Sequence, residues 1–321
     1  MTGKIWAAAA LALFAATATA QQYPNKPITL LVPYAPGPTD TVARIMAQAM
    51  TKPIGTNFVV ENLPSNGGIL APELLTKAAA DGYTILIHHI GMATTPALYR
   101  QLRFKPLEDF EYIGLINEVP MTLIGRANLP PSNLKDLLAY IKANSAKMSL
   151  ANAGIGAASH LCGMLFQSAI QVARLTVPYK GTGPAMNDLL GGQVDFLCDQ
   201  TTSTTNQIKA GKVKVYGVTT LARVPSLKEV PTLDEQGLKG FNIAIWHGFY
   251  APKGTPKPVI DKLSAALQEG LKDPLVKQRF NELGTDPVDP KRGTPEALRS
   301  HLKAEIDKWA PIIKAAGVYA D

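Results

Sequence analysis

The sequence predicts an α/β protein of two lobes, each a mostly parallel sheet flanked by helices. Three observations lead there. Short apolar runs recur along the chain, each followed by a Gly- or Pro-rich break and then by apolar residues at helical spacing. The units of residues 28–125 are echoed over residues 125–220. The length, 321 residues, is about twice that of a typical domain.

Residues 1–20 stand apart from this pattern. Lys4, the apolar stretch Ile5 to Phe14 and the small residues Ala18-Thr19-Ala20 read as a secretory signal peptide, cleaved after Ala20. Its apolar part is too short for a permanent membrane anchor. The next unit sets the theme. Ile28 to Val32 is a buried-strand run, Pro33 to Pro38 breaks it, and Thr39 and Asp40 are good helix N-cap types. Val42, Ile45, Met46, Ala49 and Met50 then follow at helical spacing. The free N–H groups and dipole of such a helix start suit an anion, so Gly37, Pro38, Thr39 and Asp40 are candidate carboxylate contacts. An ordinary βα turn would read the same way.

Phe58 to Val60 and Tyr83 to Ile87 read as further strands, with a helix after Pro72 between them. His88 and His89 end the latter strand; packing of one ring with exposure of the other is the plain expectation, and His89 facing a ligand the sharper one. Phe110 to Leu115 and Met121 to Gly125 read as separate strands, and Ser132 as the N-cap of a helix over 134–143. Met148 to Ala151 leads into Gly154, Gly156, Ala158, Ser159 and His160, a second strand, Gly-rich loop and helix start. Glycines there let backbone approach a ligand closely. Leu175 to Tyr179, followed by Lys180-Gly181-Thr182-Gly183-Pro184, makes a third such junction. Val194 to Cys198 runs into Asp199, placed to hold a cationic group or orient a donor, or simply solvated at a strand end. Thr232 to Glu235 is a capping box. Phe241 to Tyr250 is a strand pattern, and amphipathic helices fill the rest of the chain, the last opened by Thr294 and Pro295.

Composition narrows the function classes. Hydrophobic residues at 46% and charged residues at 18% fit a globular chain with enough apolar mass for two cores. The net charge of +7 is mild and no basic run interleaved with aromatics appears, so nucleic acid is not an expected partner. The Gly spacing at 154 and 156 is not a dinucleotide fingerprint, and no metal-like Cys/His spacing occurs; no cofactor is expected. Cys162 and Cys198 follow the export signal, so a disulfide between them is permitted, as are two buried thiols. Three anion-friendly junctions over two lobes imply a cleft where backbone amides from both sides grip one carboxylate.

Seven stretches in order resemble one family. They are Tyr23 to Ile28, Val32-Pro33-Tyr34, Thr39 to Arg44 and Val60-Glu61-Asn62, with Asp81 to Thr84, Pro178 to Gly181 and Ala251 to Pro256 completing the series. They resemble the Bug receptors of tripartite tricarboxylate transporters, and the resemblance spans the mature chain. Ser159 to Cys162 and the surroundings of Asp199 look most like the BugD type of amino-acid and dicarboxylate binders. The first loop, Ala35 to Pro38, reads one residue shorter than the family pattern.

The resemblance implies a type II Venus flytrap, with lobe 1 built from 21–123 and 225–321 and lobe 2 from 124–224. It implies a periplasmic solute receptor that performs no chemistry, acts as a monomer and hands a small carboxylate to membrane permease subunits. The loops at 36–40 and 179–184 would hold the carboxylate, Tyr179, Gly181, Thr182 and Gly183 among them. Two alternatives stay open: an exported α/β hydrolase-like enzyme, and a ligand-sensing partner of a membrane kinase. The enzyme lacks a G-x-S-x-G elbow, and Ser159 and His160, adjacent on one helix, do not face each other.

Overall fold

The structure, a computed structural model, describes residues 23–144, 147–172 and 176–320. The expected signal peptide lies outside the described residues. Strand β1 (Ile28–Val32) is almost wholly buried because it is central, paired in parallel with β2 (Phe58–Asn62) and β3 (Thr84–His89). The edge strand β2 alternates and leaves Val59 exposed. Helix α1 (Pro38–Ile54) lays Val42, Met46 and Met50 into the core and packs on α8 (Lys257–Lys272). A short α2 (Leu70–Leu75) and α3 (Gly91–Leu98) flank β3.

Between Phe110 and Arg126 the chain forms one continuous strand, β4, where the sequence reads as two. Residues 110–120 of β4 pair antiparallel with β9 (Ala244–Pro252), and residues 121–126 pair with β7 (Phe196–Gln200) and β8 (Val213–Val218). Pro120 sits where the strand leaves one sheet for the other, the last residue of β4 paired with β9. At this crossing Thr219 donates to the Ile243 carbonyl at 2.7 Å and accepts from Met121 N–H at 3.0 Å, tying the strands that join the halves.

The second half holds α4 (Leu134–Asn144), β5 (Leu150–Asn152), α5 (Ala158–Ile170), β6 (Thr176–Pro178), α6 (Thr182–Leu190) and α7 (Thr201–Lys209). β5 pairs in parallel with β6 and β7. Both sheets are therefore mixed: the βα units supply parallel pairs, while β4 and β9 run against them as the chain crosses and returns. α9 (Pro274–Glu282), β10 (Asp286–Pro287) and α10 (Pro295–Ala316) complete the first half, α10 lying on α3 and β4. The Thr294 hydroxyl caps α10 through Ala297 N–H. Thr232 and Glu235 make both hydrogen bonds of a capping box, around a single turn.

Cys162 on α5 and Cys198 on β7 are bridged, with Cα atoms 6.0 Å apart, closing a loop of 36 residues. Fixing such a loop in the unfolded chain is worth about 2–4 kcal/mol. Reduction is expected to lower folding stability by that amount, read as a drop in the urea midpoint with and without reductant. Equal midpoints would mean that the bridge contributes nothing.

Candidate functional site

Four helices begin at one small cavity between the halves. Tyr34, Ala35, Pro38 and Thr39 reach it from the start of α1, and Ala153, Ala157, Ala158 and Ser159 from the start of α5. Thr182 opens α6, Gln200 caps α7, and His89 and Asp199 close the wall from β3 and β7. The residue that caps α1 is Gly37, not Thr39 or Asp40: Pro38 takes the first helical position, so Thr39 and Asp40 are the second and third residues of the first turn. There the N–H groups of Thr39 and Asp40 have no intrahelical carbonyl to reach, whereas Thr41 N–H already bonds the Gly37 carbonyl at 2.9 Å. Thr182 and Gly183 on α6, and Ala158 and Ser159 on α5, are the first and second helical residues, and their N–H groups likewise precede any intrahelical carbonyl. Converging helix starts of this kind form a positive pocket built from backbone.

The loops meet face to face. Ala35 N–H donates to the Lys180 carbonyl at 3.4 Å. Tyr99 donates to the Ile155 carbonyl at 3.0 Å, and Thr94 to the Gly156 carbonyl at 3.2 Å. Ile155 N–H in turn reaches Asn66 Oδ1 at 3.1 Å. These bonds join loops on the β3 side to loops on the β5 and β6 side, so the cleft is shut over the cavity.

Asp199 is the exceptional group in this wall. It is fully buried, and among the described residues no hydrogen bond of good geometry reaches either carboxylate oxygen. Burial pushes its pKa up to about 7, even though the nearby Gln200 amide and the Ser203 and Thr182 hydroxyls pull the other way. Gln200 Oε1 and Thr202 Oγ1, close by along the chain, are also buried without a partner among the described residues. An acceptor-rich corner of this kind fits a cationic or donor group.

The histidines are neutral. Burial lowers His88 to about 4 and His247 to about 3, and drives His89 well below its ordinary value, with the neighbouring rings adding to it. Neither ring of the His88–His89 pair is exposed, contrary to the plain expectation, because α3 folds back over the end of β3. His88 accepts from His89 N–H at 2.9 Å, so its proton lies on Nε2, 3.3 Å from the Gly68 carbonyl. His89 accepts from Gly91 N–H at 2.9 Å, which leaves its Nε2–H as the donor of the ring that lines the cavity.

Several candidates lie off the wall. Asp40 is turned back along α1 into an ion pair with Arg44 at 2.9 Å. Tyr179 donates to Asp188 at 2.6 Å. His160 accepts from Gly156 N–H through Nδ1 and lines a different cavity beside Met164 and Val318. Gly156 belongs to the clasp rather than the wall. Gly37 and Gly183 are pressed between the two sides, where a Cβ on Gly183 would stand 2.2 Å from the Pro36 carbonyl oxygen. Sequence reasoning missed Tyr34, Ala35, Ala153, Ala157 and Gln200. Tyr34, Ala35, Ala153 and Ala157 lie inside two of the loops that the sequence marks, whereas Gln200 left no such signal, since no Gly or Pro separates its strand from the helix.

Comparison with known proteins fits this geometry. The model of the family described as tripartite tricarboxylate transporter family receptor matches residues 42–318. An Agrobacterium vitis protein, described as a UPF0065 protein in the TAR-I ttuE-ttuC' intergenic region, is 51% identical over 296 residues, covering 92% of this chain and 86% of that protein. The structure of the periplasmic binding protein BugD superposes with a TM-score of 0.90 at 52% identity, covering 92% of this chain and 99% of that one. MatC from Rhodopseudomonas palustris with bound malate gives a TM-score of 0.87 at 35% identity, covering 91% and 100%.

Proposed function

The chain belongs to the tripartite tricarboxylate transporter receptor family, and from that premise we propose that it is a periplasmic receptor for an acidic amino acid of about aspartate size. The observation that carries the reading is the pairing of helix starts, suited to a carboxylate, with the buried, unpartnered Asp199, suited to an ammonium. The amides of Thr39, Asp40, Thr182 and Gly183 take one carboxylate, His89 Nε2–H assists, and Asp199 takes the amino group. Gly37, Pro38, Gly181, Ala158 and Ser159 shape the backbone around it. Closure of the cleft buries the acid, and the closed form is what the permease subunits engage.

The protein is exported with its first 20 residues removed and works as a monomer. It performs no chemistry. Ser159 Oγ accepts from Ala153 N–H at 2.8 Å while His160 faces the other cavity, so the two form no nucleophile–base pair. A plain or hydroxylated dicarboxylate is the second reading, favoured by the malate in MatC and by an Asp199 that is half protonated near neutral pH.

Calorimetric titration with L-aspartate, L-glutamate, L-malate, succinate and glucose tests the proposal. Tightest binding of L-aspartate is expected, with a matching rise in melting temperature. Strongest binding of glucose, or no binding of any acid, would overturn it.

A further inference from the structure

Beneath Thr39 lies a chain of buried polar groups that lines no part of the cavity and meets its wall through Thr39 and through the ring contact of His247 with His89. Asn117 on β4 and His247 on β9 are cross-strand partners, both fully buried. The direction of every bond in the chain can be fixed from its far end. Thr285 gives its hydroxyl proton to the Glu118 carbonyl at 2.7 Å, so toward Asn117 Nδ2, 3.5 Å away, it shows a lone pair. That orients the Asn117 amide and leaves Oδ1 facing His247 Nδ1 at 2.9 Å. An amide oxygen can only accept, so the proton of the neutral ring is on Nδ1 and Nε2 is bare. Burial, which lowers His247 to about 3, keeps the ring in that one-proton state. Nε2 lies 3.3 Å from Thr39 Oγ1, and a bare nitrogen accepts, so Thr39 spends its hydroxyl proton on His247.

We infer that His247, locked by Asn117, is a positioning residue that fixes the Thr39 hydroxyl as an acceptor and thereby selects acids carrying an N–H or O–H donor beside the bound carboxylate. The two histidines that meet at a steep angle under the site, ring centres 6.0 Å apart and planes 70° apart, thus set opposite polarities. His89 offers a donor to the carboxylate; His247 makes its neighbour an acceptor for the substituent. Thr39 combines both functions, its amide donating and its hydroxyl accepting. A 2-amino or 2-hydroxy acid satisfies both at once. A plain dicarboxylate leaves the desolvated hydroxyl lone pairs without a donor, which costs affinity. The inference rests on the carboxylate-receptor reading and narrows its ligand class.

The test is a double-mutant cycle read by calorimetry with L-aspartate, L-malate and succinate on the full mature protein. Thr39→Val keeps the size of the side chain and removes the hydroxyl; it is expected to weaken aspartate and malate about tenfold and succinate little, so the preference shrinks. Thr39→Ser should restore it. His247→Phe should shrink the preference by the same factor although the hydroxyl remains, and should have no further effect on it in the Thr39→Val background. A purely structural role for His247 would instead weaken all three acids alike and persist in that background. If wild-type protein binds none of the acids, the receptor reading falls and the inference with it. If the wild type binds them but Thr39→Val keeps the wild-type preference, or the two substitutions act additively, the inference alone is overturned; should His247→Phe fail to fold, the Thr39→Val and Thr39→Ser comparison decides.

Discussion

Gly183→Ala is expected to abolish ligand capture while leaving the protein folded. Gly183 is the second residue of α6, in ordinary helical backbone, so alanine brings no conformational strain. The obstacle is across the cleft, where the new Cβ would lie 2.2 Å from the Pro36 carbonyl oxygen. A main-chain oxygen in a Pro-rich loop cannot rotate aside as a side-chain tip would. The two sides must part, and parting them pulls the amides of α1 and α6 away from a shared carboxylate. Because the contact exists only when the cleft is shut, the open form loses nothing. The expected result is a loss of affinity of about a thousandfold, equivalent to about 4 kcal/mol, with an unliganded melting temperature close to wild type. Gly181→Val should lose binding too, but its φ of 133° adds backbone strain, so it separates the two causes less cleanly. Wild-type affinity in Gly183→Ala would mean that binding does not need this closed contact.

How far the sequence discloses such a site depends on what kind of signal each part leaves. The strand–break–helix units of α1, α5 and α6 were legible because Gly, Pro and hydroxyl residues mark the junctions. The fourth helix start was not, because β7 runs straight into α7 through Gln200 with no Gly or Pro between them. The reading of β4 as two strands failed for a related reason, since no local pattern shows one strand passing between two sheets. Side-chain direction was less legible still. Ser159 and His160 are neighbours, yet a helix turns about 100° per residue, so one meets the cavity and the other a different surface. Asn117 and His247 lie 130 residues apart and meet only through the register of β4 on β9, which no local pattern encodes. Asp199 was visible as a lone acid near a strand end, but its lack of partners depends on packing from three elements.

Asp199→Asn should reveal what that missing partner is. In the wild type the folded-state pKa of Asp199 stands at about 7, well above the ordinary carboxylate value of 3.8. A raised value means that the folded protein is more stable with the proton on. This contribution is complete below the ordinary pKa and is lost as pH rises through about 7. Asparagine removes the buried charge, so the unliganded variant is expected to be more stable than wild type at pH 8, by about 2–4 kcal/mol. The same change removes the counter-charge for an ammonium, and leaving a buried cation unpaired costs about 3–5 kcal/mol. L-Aspartate should therefore weaken several-hundredfold or more while succinate, which has no amine, stays near its wild-type affinity or improves. The pH dependence follows the same sign. In the wild type, capture of an ammonium requires an ionised Asp199, so affinity for L-aspartate should fall toward tenfold per unit below pH 7, and the variant should lose that slope. Calorimetry at pH 6 and pH 8 with both acids measures all of this together. Equal losses for aspartate and succinate, or a pH slope that survives in the variant, would show that the amino group is read elsewhere.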